Sequence, residues 1–292
     1  MQRERSRRGR RRLRARPLIH LVPNIFTVMS LCFGLTGIRY ALDARFELAV
    51  TLIVLAGIFD GLDGRSARLL KSTSSLGAQL DSLADFLSFG VAPAMLVYLW
   101  SLHTVKGIGW ALALLFATAC ALRLARFNTE LDTADRPAWM ARFFSGMPAP
   151  AAAGIVMLPM MLAFGLGDSW PRTWALNAAV MVSVALLMVS KVPTFSLKMV
   201  TLRVSPDWVP PTLVLVGMLV ASLLTVPWLT LVAVGTTYLA SLPFGVLMAR
   251  RLRRRSQQAA AGPVEPVAAR SAVAAGDDRV VPLAEPKSRQ QP

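Results

Sequence analysis

Residues 60–85 read DGLDGRSARLLKSTSSLGAQLDSLAD and connect two apolar stretches of the chain. Four of the sixteen acidic residues of the protein lie in this segment, which makes their spacing informative. Asp60 and Asp63 are three residues apart. Asp81 and Asp85 are four residues apart, so on helices each pair shares one face. We expect the two faces to meet across the short connection between them, so that four carboxylates converge on one point.

The composition of the whole chain is that of a membrane protein. Of its 292 residues, 54% are hydrophobic and only 16% are charged, and the mean hydropathy is +0.51. Soluble domains carry about 25% charged residues. The two cysteines, Cys32 and Cys120, lie inside apolar runs, so we expect small buried residues there and neither a disulfide nor a metal pair. These proportions exclude a single water-exposed domain and favour a multi-span membrane protein.

Eight apolar runs approach the roughly 20 residues that an α-helix needs to cross a bilayer. They lie at 19–39, 47–64, 79–101, 107–126, 148–166, 173–190, 211–225 and 228–249. The connection between the last two runs is so short that they could also form a re-entrant hairpin. The predicted fold class is therefore all-α, a polytopic bundle of membrane helices.

The net charge of +16 is concentrated at the two ends of the chain. Nine arginines lie within residues 1–17 and five within 250–255, and each cluster flanks a hydrophobic segment. This asymmetry, together with an even number of spans, predicts that both termini are cytoplasmic. Because no aromatic residues interleave with these arginines, we expect them to contact membrane lipids and not nucleic acid. The predicted location is the inner membrane of a bacterial cell.

The four aspartates form a candidate metal site. Carboxylates at the depth of a membrane helix are costly unless they are paired or bound to metal, and four like charges cannot stay ionised together in a low-dielectric site without cations. Neither His nor Cys lies nearby, and oxygen ligands favour the hard cations Mg²⁺ or Mn²⁺. The alternative interpretation is that the aspartates only solvate helix ends at the membrane interface.

Two neighbours of the aspartates favour phosphate chemistry. Gly64 leaves space beside Asp63, which would let a phosphate or a ribose approach the backbone. Arg68 follows closely and can bind a phosphate through two parallel hydrogen bonds. A metal centre and an arginine at a membrane surface suggest phosphoryl transfer on a lipid that carries a diphosphate.

The same segment resembles the signature of the CDP-alcohol phosphotransferase family, D-x2-D-G-x2-A-R-x8-G-x3-D-x3-D. The matching residues are Asp60, Asp63, Gly64, Ala67, Arg68, Gly77, Asp81 and Asp85. Because every fixed position is present, the resemblance is specific. It implies a six-helix core that binds a CDP-linked substrate at the cytoplasmic interface, with the four aspartates holding two divalent cations. Asp85 corresponds to the general base proposed for the family.

The resemblance also implies which residues bind CDP-diacylglycerol. By position they are Asn24, Thr27, Gly64, Ala67, Arg68, Ser74 and Gly77. Pro23, Asn24 and Thr27 resemble the Pro-Asn and Thr of the family's first helix, which faces the nucleotide. For this short stretch two structural interpretations stay open, since Pro23 could kink a span and Asn24 could bond to a neighbouring helix.

Four further stretches resemble the branch of the family that uses serine, the integral-membrane phosphatidylserine synthases. They are FLSFGVAPA (86–94), RLARFN (123–128), GMPAPAAA (146–153) and LMVSKVPTFSLK (187–198). The resemblance implies that L-serine accepts the phosphatidyl group of CDP-diacylglycerol, giving phosphatidylserine and CMP. Two rivals stay open, a family member that uses glycerol phosphate, inositol phosphate or choline, and a cation-coupled transporter. A transporter would be expected to carry its carboxylates near mid-bilayer, on broken helices in symmetric halves.

Recognition of serine needs at least one fixed cation, because serine brings a carboxylate and an ammonium besides its hydroxyl. The candidate cations are Arg123, Arg126 and Lys191, and Asn128 could accept a hydrogen bond from the ammonium. Arg123 and Arg126 are three residues apart and can present one helical face. The alternative is that all three cations are positive-inside markers that reach lipid headgroups.

The resemblance extends over residues 18–200 and divides the chain into four regions. These are a basic cytoplasmic arm at 1–17, a catalytic transmembrane core at 18–200, an additional transmembrane hairpin at 201–250, and a basic, then disordered, cytoplasmic tail at 251–292. The expected architecture is thus a six-helix core plus two additional C-terminal transmembrane helices, which receive no catalytic role. The resemblance also favours a homodimer.

Overall fold

The computed structural model describes residues 21–70, 74–131, 143–190, 193–195 and 208–242. These residues belong to one compact unit that ends at Ala249, and a second unit, Arg250–Pro292, lies outside the described ranges. The predicted N-terminal arm, the predicted C-terminal tail and Lys191 also lie outside the described residues.

Within these ranges the chain forms ten α-helices. They are α1 (Val22–Leu42), α2 (Phe46–Leu69), α3 (Ser75–Asp85), α4 (Ala92–Trp100), α5 (Lys106–Leu131), α6 (Ala149–Val156), α7 (Leu158–Leu166), α8 (Trp174–Val189), α9 (Val209–Thr225) and α10 (Pro227–Leu242). Two short strands, β1 (Phe143–Ser145) and β2 (Pro193–Phe195), pair with each other. The helical class predicted from hydropathy is confirmed, and each of the eight predicted runs overlaps a helix or a helix pair.

Several helices are long and apolar enough to cross a bilayer. The helical stretches Val22–Leu42, Leu76–Trp100 and Leu102–Thr129 meet this requirement, and α6 with α7 would form a fourth, bent by 42°. The helix α2 has 24 residues, but charged side chains occupy its second half. The helices α8, α9 and α10 are apolar and shorter. The chain is therefore a multi-pass membrane protein.

The predicted span at 148–166 is not one straight helix. It breaks at Met157, between α6 and α7. Because the nitrogen of Pro159 carries no hydrogen, this residue cannot donate to the carbonyl of Ile155 in the preceding turn. A count of apolar residues does not register such a break, since the residues on both sides of it are hydrophobic.

Helix α1 is the scaffold on which α2 is oriented. Small residues let the two backbones approach closely, and a Cβ on Gly37 would lie 3.3 Å from the carbonyl oxygen of Ala49. The hydroxyl of Ser30 donates to the carbonyl oxygen of Ala56 at 3.0 Å. These contacts determine the rotation of α2 about its axis, and therefore the direction in which its aspartates point.

A π-helical segment, Phe86–Val91, joins α3 to α4 directly after Asp85. Pro93 follows it and cannot donate a backbone hydrogen bond into the turn before it. The hydroxyl of Ser88 donates to the carbonyl oxygen of Ser30 at 3.1 Å, and the segment also packs against α5. The wide turn therefore anchors the end of α3, with Asp85, to α1 and α5.

The two strands form an antiparallel ladder that the sequence analysis does not anticipate. Phe143 pairs with Phe195, and Ser145 pairs with Pro193. Strands of three residues are too short to produce a readable period of hydropathy. Directly after β1 the chain turns at Gly146, whose φ is +79°, and begins α6 against the end of α8.

Gly146→Ala is expected to destabilise the protein by more than the ~1–2 kcal/mol that a left-handed alanine costs. A Cβ at this position would lie 2.7 Å from the carbonyl oxygen of Met188, so the backbone of one segment must move. Gly167 has a similar φ of +72°, but no heavy atom lies within 4 Å of its added Cβ, which makes Gly167→Ala the matched control. Thermal unfolding in detergent measures both, and equal losses of Tm would contradict the prediction.

Candidate metal and substrate site

Four aspartates from α2 and α3 meet in one cluster. Carboxylate oxygens of Asp60, Asp63 and Asp81 lie within 4.8 Å of one another. Asp85 interacts with Asp60 and with the two other aspartates of the group. Each pair shares a helix face, and both helices pack against α1, which brings the two faces together.

Asp63 is the most buried member of the cluster and is held by the first helix. Its side chain is only 5% exposed, and the hydroxyl of Thr27 lies 2.8 Å from its carboxylate. The same hydroxyl lies 3.1 Å from the carbonyl oxygen of Pro23, one turn earlier in α1. Thr27, assigned to the nucleotide by resemblance, thus contacts an aspartate directly.

The chemistry of the donors fits a divalent cation. Oxygen ligands at about 2.0–2.6 Å from a cation are at most about 5 Å apart, which agrees with the separations in this cluster. Among the described residues, Asp60, Asp63 and Asp81 form a group of acidic side chains that are close enough to share an ion. Since the carboxylates repel one another, a cation would stabilise their ionised forms.

The start of α3 lies against the start of α1. The hydroxyl of Ser74 accepts a hydrogen bond from the backbone N–H of Gly77 at 3.0 Å, which caps α3. A Cβ on Gly77 would lie 2.8 Å from the side-chain oxygen of Asn24. Gly77 is therefore required for close approach of the two helices, and Asn24 is brought to the same end of the bundle as the aspartates.

Helix α2 is open at Gly64, one turn after Asp60. No heavy atom lies within 4 Å of a Cβ added to Gly64, and both Gly64 and Arg68 are exposed. The Nε atom of Arg68 donates to the carbonyl oxygen of Gly64 at 2.9 Å, while Ala67 is half-buried between them. Gly64 therefore leaves open space on α2 next to Asp63.

Thr27→Val is expected to weaken the binding of a divalent cation by about 10- to 100-fold, the usual effect of losing a hydrogen bond that orients a metal ligand. Valine keeps the shape of threonine but cannot hold the carboxylate of Asp63. Thr51→Val is the matched control, because the Thr51 hydroxyl bonds only within α2, to the carbonyl of Glu47 at 2.8 Å. Calorimetric titration with Mn²⁺ measures both variants. Equal affinities for Thr27→Val and the unchanged protein would contradict the prediction.

The candidate serine-binding residues have different surroundings. Arg123 is buried, with 9% exposure, and its Nε atom has no hydrogen-bond partner among the described residues. It interacts electrostatically with Asp85. Arg126 is half-buried and donates to the carbonyl oxygen of Val189, the last residue of α8. Of the two arginines, Arg123 is thus the buried one, and it interacts electrostatically with Asp85.

Asn128 is exposed and its side-chain amide donates to the hydroxyl of Ser82 at 2.9 Å. Ser82 follows Asp81, so this bond links α5 to the helix that carries two of the aspartates. Nothing in the local spacing of Ser82 predicts it as a site residue, because its partner lies 46 residues away.

Comparison with known proteins agrees with this geometry. The sequence model described as CDP-alcohol phosphatidyltransferase matches residues 20–190, which include all four aspartates. A second model, described as CDP-alcohol phosphatidyltransferase 2, matches residues 207–243. The similarity therefore extends beyond the range 18–200 expected from the sequence stretches and includes α9 and α10.

Curated relatives from several bacteria carry the name CDP-diacylglycerol--serine O-phosphatidyltransferase. The relative from Mycobacterium leprae is 40% identical over 230 residues, which cover 78% of this chain and 75% of the relative. The relative from Mycobacterium bovis is 37% identical over 252 residues, covering 86% and 85%. A relative from Helicobacter pylori is 43% identical over 144 residues, covering 49% and 59%. With a family model matching more than half of its length, the chain belongs to the CDP-alcohol phosphatidyltransferase family.

Proposed function

We propose that this protein transfers the phosphatidyl group of CDP-diacylglycerol to the hydroxyl of L-serine, giving phosphatidylserine and CMP. The observation that carries the proposal is the similarity, over 78% and 86% of the chain, to two relatives that have this activity in their names. The aspartate cluster supports it, because phosphoryl transfer depends on cations that neutralise the charge of the phosphates.

The family is divalent-cation dependent, and we propose that two ions, Mg²⁺ or Mn²⁺, bind to the cluster. The ligands are Asp60, Asp63, Asp81 and Asp85. Cations held by these residues would supply positive charge that offsets the diphosphate of CDP-diacylglycerol and the negative charge of the departing CMP. Thr27 fixes the orientation of Asp63 by its hydrogen bond across the helix interface.

Asp85 is the proposed general base. It takes the proton of the serine hydroxyl as the oxygen attacks the phosphorus attached to diacylglycerol, and the bond from this phosphorus to CMP breaks. CMP leaves with the electron pair of that bond. Two observations support this role. Asp85 lies at the junction with the π-helical segment, and it interacts with Arg123, which we assign to the acceptor.

The proposed CDP-diacylglycerol site lies along the open face of α2 and the facing ends of α1 and α3. Its residues are Asn24, Thr27, Gly64, Ala67, Arg68, Ser74 and Gly77. Gly64 leaves room for the substrate, and the exposed guanidinium of Arg68 keeps further N–H groups beyond the one that binds the Gly64 carbonyl. Those groups bind a phosphate oxygen.

The proposed serine site contains Arg123, Arg126, Asn128 and Lys191. Arg123 binds the serine carboxylate. Its side chain is buried, its Nε atom has no partner among the described residues, and it interacts electrostatically with Asp85. Arg126 keeps four guanidinium N–H groups beyond the one on the Val189 carbonyl. Asn128 is held by Ser82 next to the cluster.

The experiment that tests the function uses the purified protein with CDP-diacylglycerol, a divalent cation and one alcohol at a time. The panel contains L-serine, glycerol phosphate, inositol phosphate and choline, and the readouts are CMP release and the identity of the lipid product. We expect CMP and phosphatidylserine with serine. CMP release with another alcohol and not with serine would contradict the acceptor, and no CMP release with any alcohol would contradict the reaction.

We also propose that both termini face the cytoplasm of a bacterial cell, across its inner membrane. A cysteine label at residue 2 and another at residue 290 are each expected to react only with a reagent delivered from the cytoplasmic side. A label beside Asp168, in the exposed turn between α7 and α8, is expected to react only from outside. Opposite sidedness of the two termini would rule out an even number of spans.

The proposed architecture is a core of six spans, to which α9 and α10 add two more, and the proposed assembly is a homodimer. The support for the dimer is the resemblance to the family. A mass measurement on the purified protein in detergent distinguishes a dimer from a monomer.

A further inference from the structure

Helix α10 is packed firmly onto the core. One face of it contacts core residues, through Trp228, Leu231, Val232, Tyr238, Leu239 and Leu242. The spacing of these residues is that of a single helical face. A Cβ on Gly235 would lie 2.7 Å from the side chain of Leu158, and the ring of Trp228 packs edge-on against Phe164 at 5.1 Å. The position of α10 against α7 is thus set by close contacts.

Helix α9 differs from α10 in this respect. It has no buried residue and presents apolar side chains along its length. The hydroxyls of Ser222 and Thr230 lie 2.6 Å apart and connect it to α10. Of the additional helix pair, α10 is therefore the member that can place a side chain near the candidate site.

Tyr238 is a polar residue on the inward face of α10. Its hydroxyl oxygen is buried and has no hydrogen-bond partner among the described residues. The ring is partly buried against the core, and Tyr238 interacts electrostatically with Arg123. A buried phenol oxygen without a hydrogen-bond partner is unfavourable. Its presence on the packed face of α10 therefore indicates that a ligand supplies the partner.

Arg123 also carries a buried polar atom without a hydrogen-bond partner. Its Nε atom is buried without a partner in the described ranges, and the residue interacts with both Asp85 and Tyr238. The third such atom among the described residues, Oδ1 of Asn177, belongs to a separate group of polar contacts with Ser101 and Pro171. Two of the three unsatisfied buried atoms among the described residues therefore belong to residues that interact electrostatically with each other, and one of these two residues also interacts with the proposed base.

We propose that Tyr238 is an acceptor-binding residue whose hydroxyl donates to the carboxylate of serine, beside the guanidinium of Arg123. This inference rests on the proposed function. A carboxylate has two oxygens that accept hydrogen bonds, so it can satisfy a phenol O–H and a guanidinium N–H at the same time. Helix α10 is then part of the catalytic unit, and its contacts with α7 serve to hold Tyr238 at the acceptor site.

Tyr238→Phe tests the proposal, because it removes only the hydroxyl and keeps the packed ring. We expect the KM for serine to rise roughly 10- to 100-fold, the usual range for a hydrogen bond to a charged group, with the KM for CDP-diacylglycerol and the Tm unchanged. The preference for serine over ethanolamine, which lacks the carboxylate, is expected to fall by a similar factor. Tyr98→Phe is the matched control, since the Tyr98 ring packs on Trp110 near the start of α5, whereas Arg123 lies in the second half of that helix.

A normal KM for serine in Tyr238→Phe would overturn the proposal, and so would an increase matched by Tyr98→Phe. A lower Tm, together with parallel changes in kcat and in the KM values for both substrates, would also overturn the proposal. That result would show that the Tyr238 hydroxyl only stabilises packing. These outcomes are distinguishable from failure of the proposed function, in which the unchanged protein itself makes no phosphatidylserine.

Discussion

Asp60→Asn, Asp63→Asn and Asp81→Asn are each expected to abolish divalent-cation-dependent turnover while the protein remains folded. Asparagine keeps the shape of aspartate but removes the charge that binds a cation. The three carboxylates lie within 4.8 Å of one another, so each loss affects the same site. Changes to groups that only orient a ligand lower metal affinity by about 10- to 100-fold, and loss of a ligand is expected to exceed that.

The measurement is CMP release as a function of Mg²⁺ and Mn²⁺, with calorimetric binding of Mn²⁺ as the direct readout. Asp168→Asn is the control, because Asp168 is an exposed carboxylate in the turn between α7 and α8 and is expected to behave as the unchanged protein. Near-normal activity and Mn²⁺ binding in any one of the three variants would show that its aspartate is not a cation ligand.

Asp85→Asn is expected to lower turnover by about 10²- to 10⁴-fold, the usual contribution of a general base. The binding of CMP is expected to decrease much less, since three of the four carboxylates remain. Asp85 interacts with Asp60 in the cluster and electrostatically with Arg123 of the proposed serine site, which is the position that a base for the serine hydroxyl requires. Single-turnover CMP formation and equilibrium CMP binding separate the two effects.

The matched comparison for Asp85→Asn is Asp81→Asn, one turn earlier on the same helix. Asp81 belongs to the group of three close carboxylates, so its loss is expected to weaken CMP binding and turnover together. If Asp85→Asn reduces binding and turnover in equal proportion as well, Asp85 acts as a ligand or a structural residue and not as the base.

The part of the site that the sequence predicts correctly is the part that depends on local spacing. The intervals between Asp60 and Asp63 and between Asp81 and Asp85 place each pair on one face, because the period of a helix depends only on neighbouring residues. Hydropathy located the helices for a similar reason, since it averages over a short window. Hydropathy predicts that the second span ends at residue 64, whereas α2 continues to Leu69. Charged side chains lower the hydropathy there, but they do not interrupt the backbone hydrogen bonds of the helix.

The sequence does not predict the contacts of a residue whose partner lies on another helix. Gly77 is part of the family signature, and the structure shows that a side chain there would collide with Asn24 of α1. Ser74 was assigned to the substrate, and the structure adds that it caps α3. The contact of Gly77 depends on how two helices cross, whereas the cap at Ser74 is a local contact within three residues.

The sequence by itself determined that the chain is a membrane protein of apolar helices, and that two pairs of aspartates share helix faces. Both properties follow from composition and from the helical period, which are local. Only the tertiary structure decided that Thr27 contacts Asp63, 36 residues away, and that Tyr238 of the added helix packs against the core and interacts electrostatically with Arg123. These contacts depend on the rotation and crossing of packed helices. Close packing of small residues such as Gly37 and Gly235 sets that geometry, and no local pattern contains it.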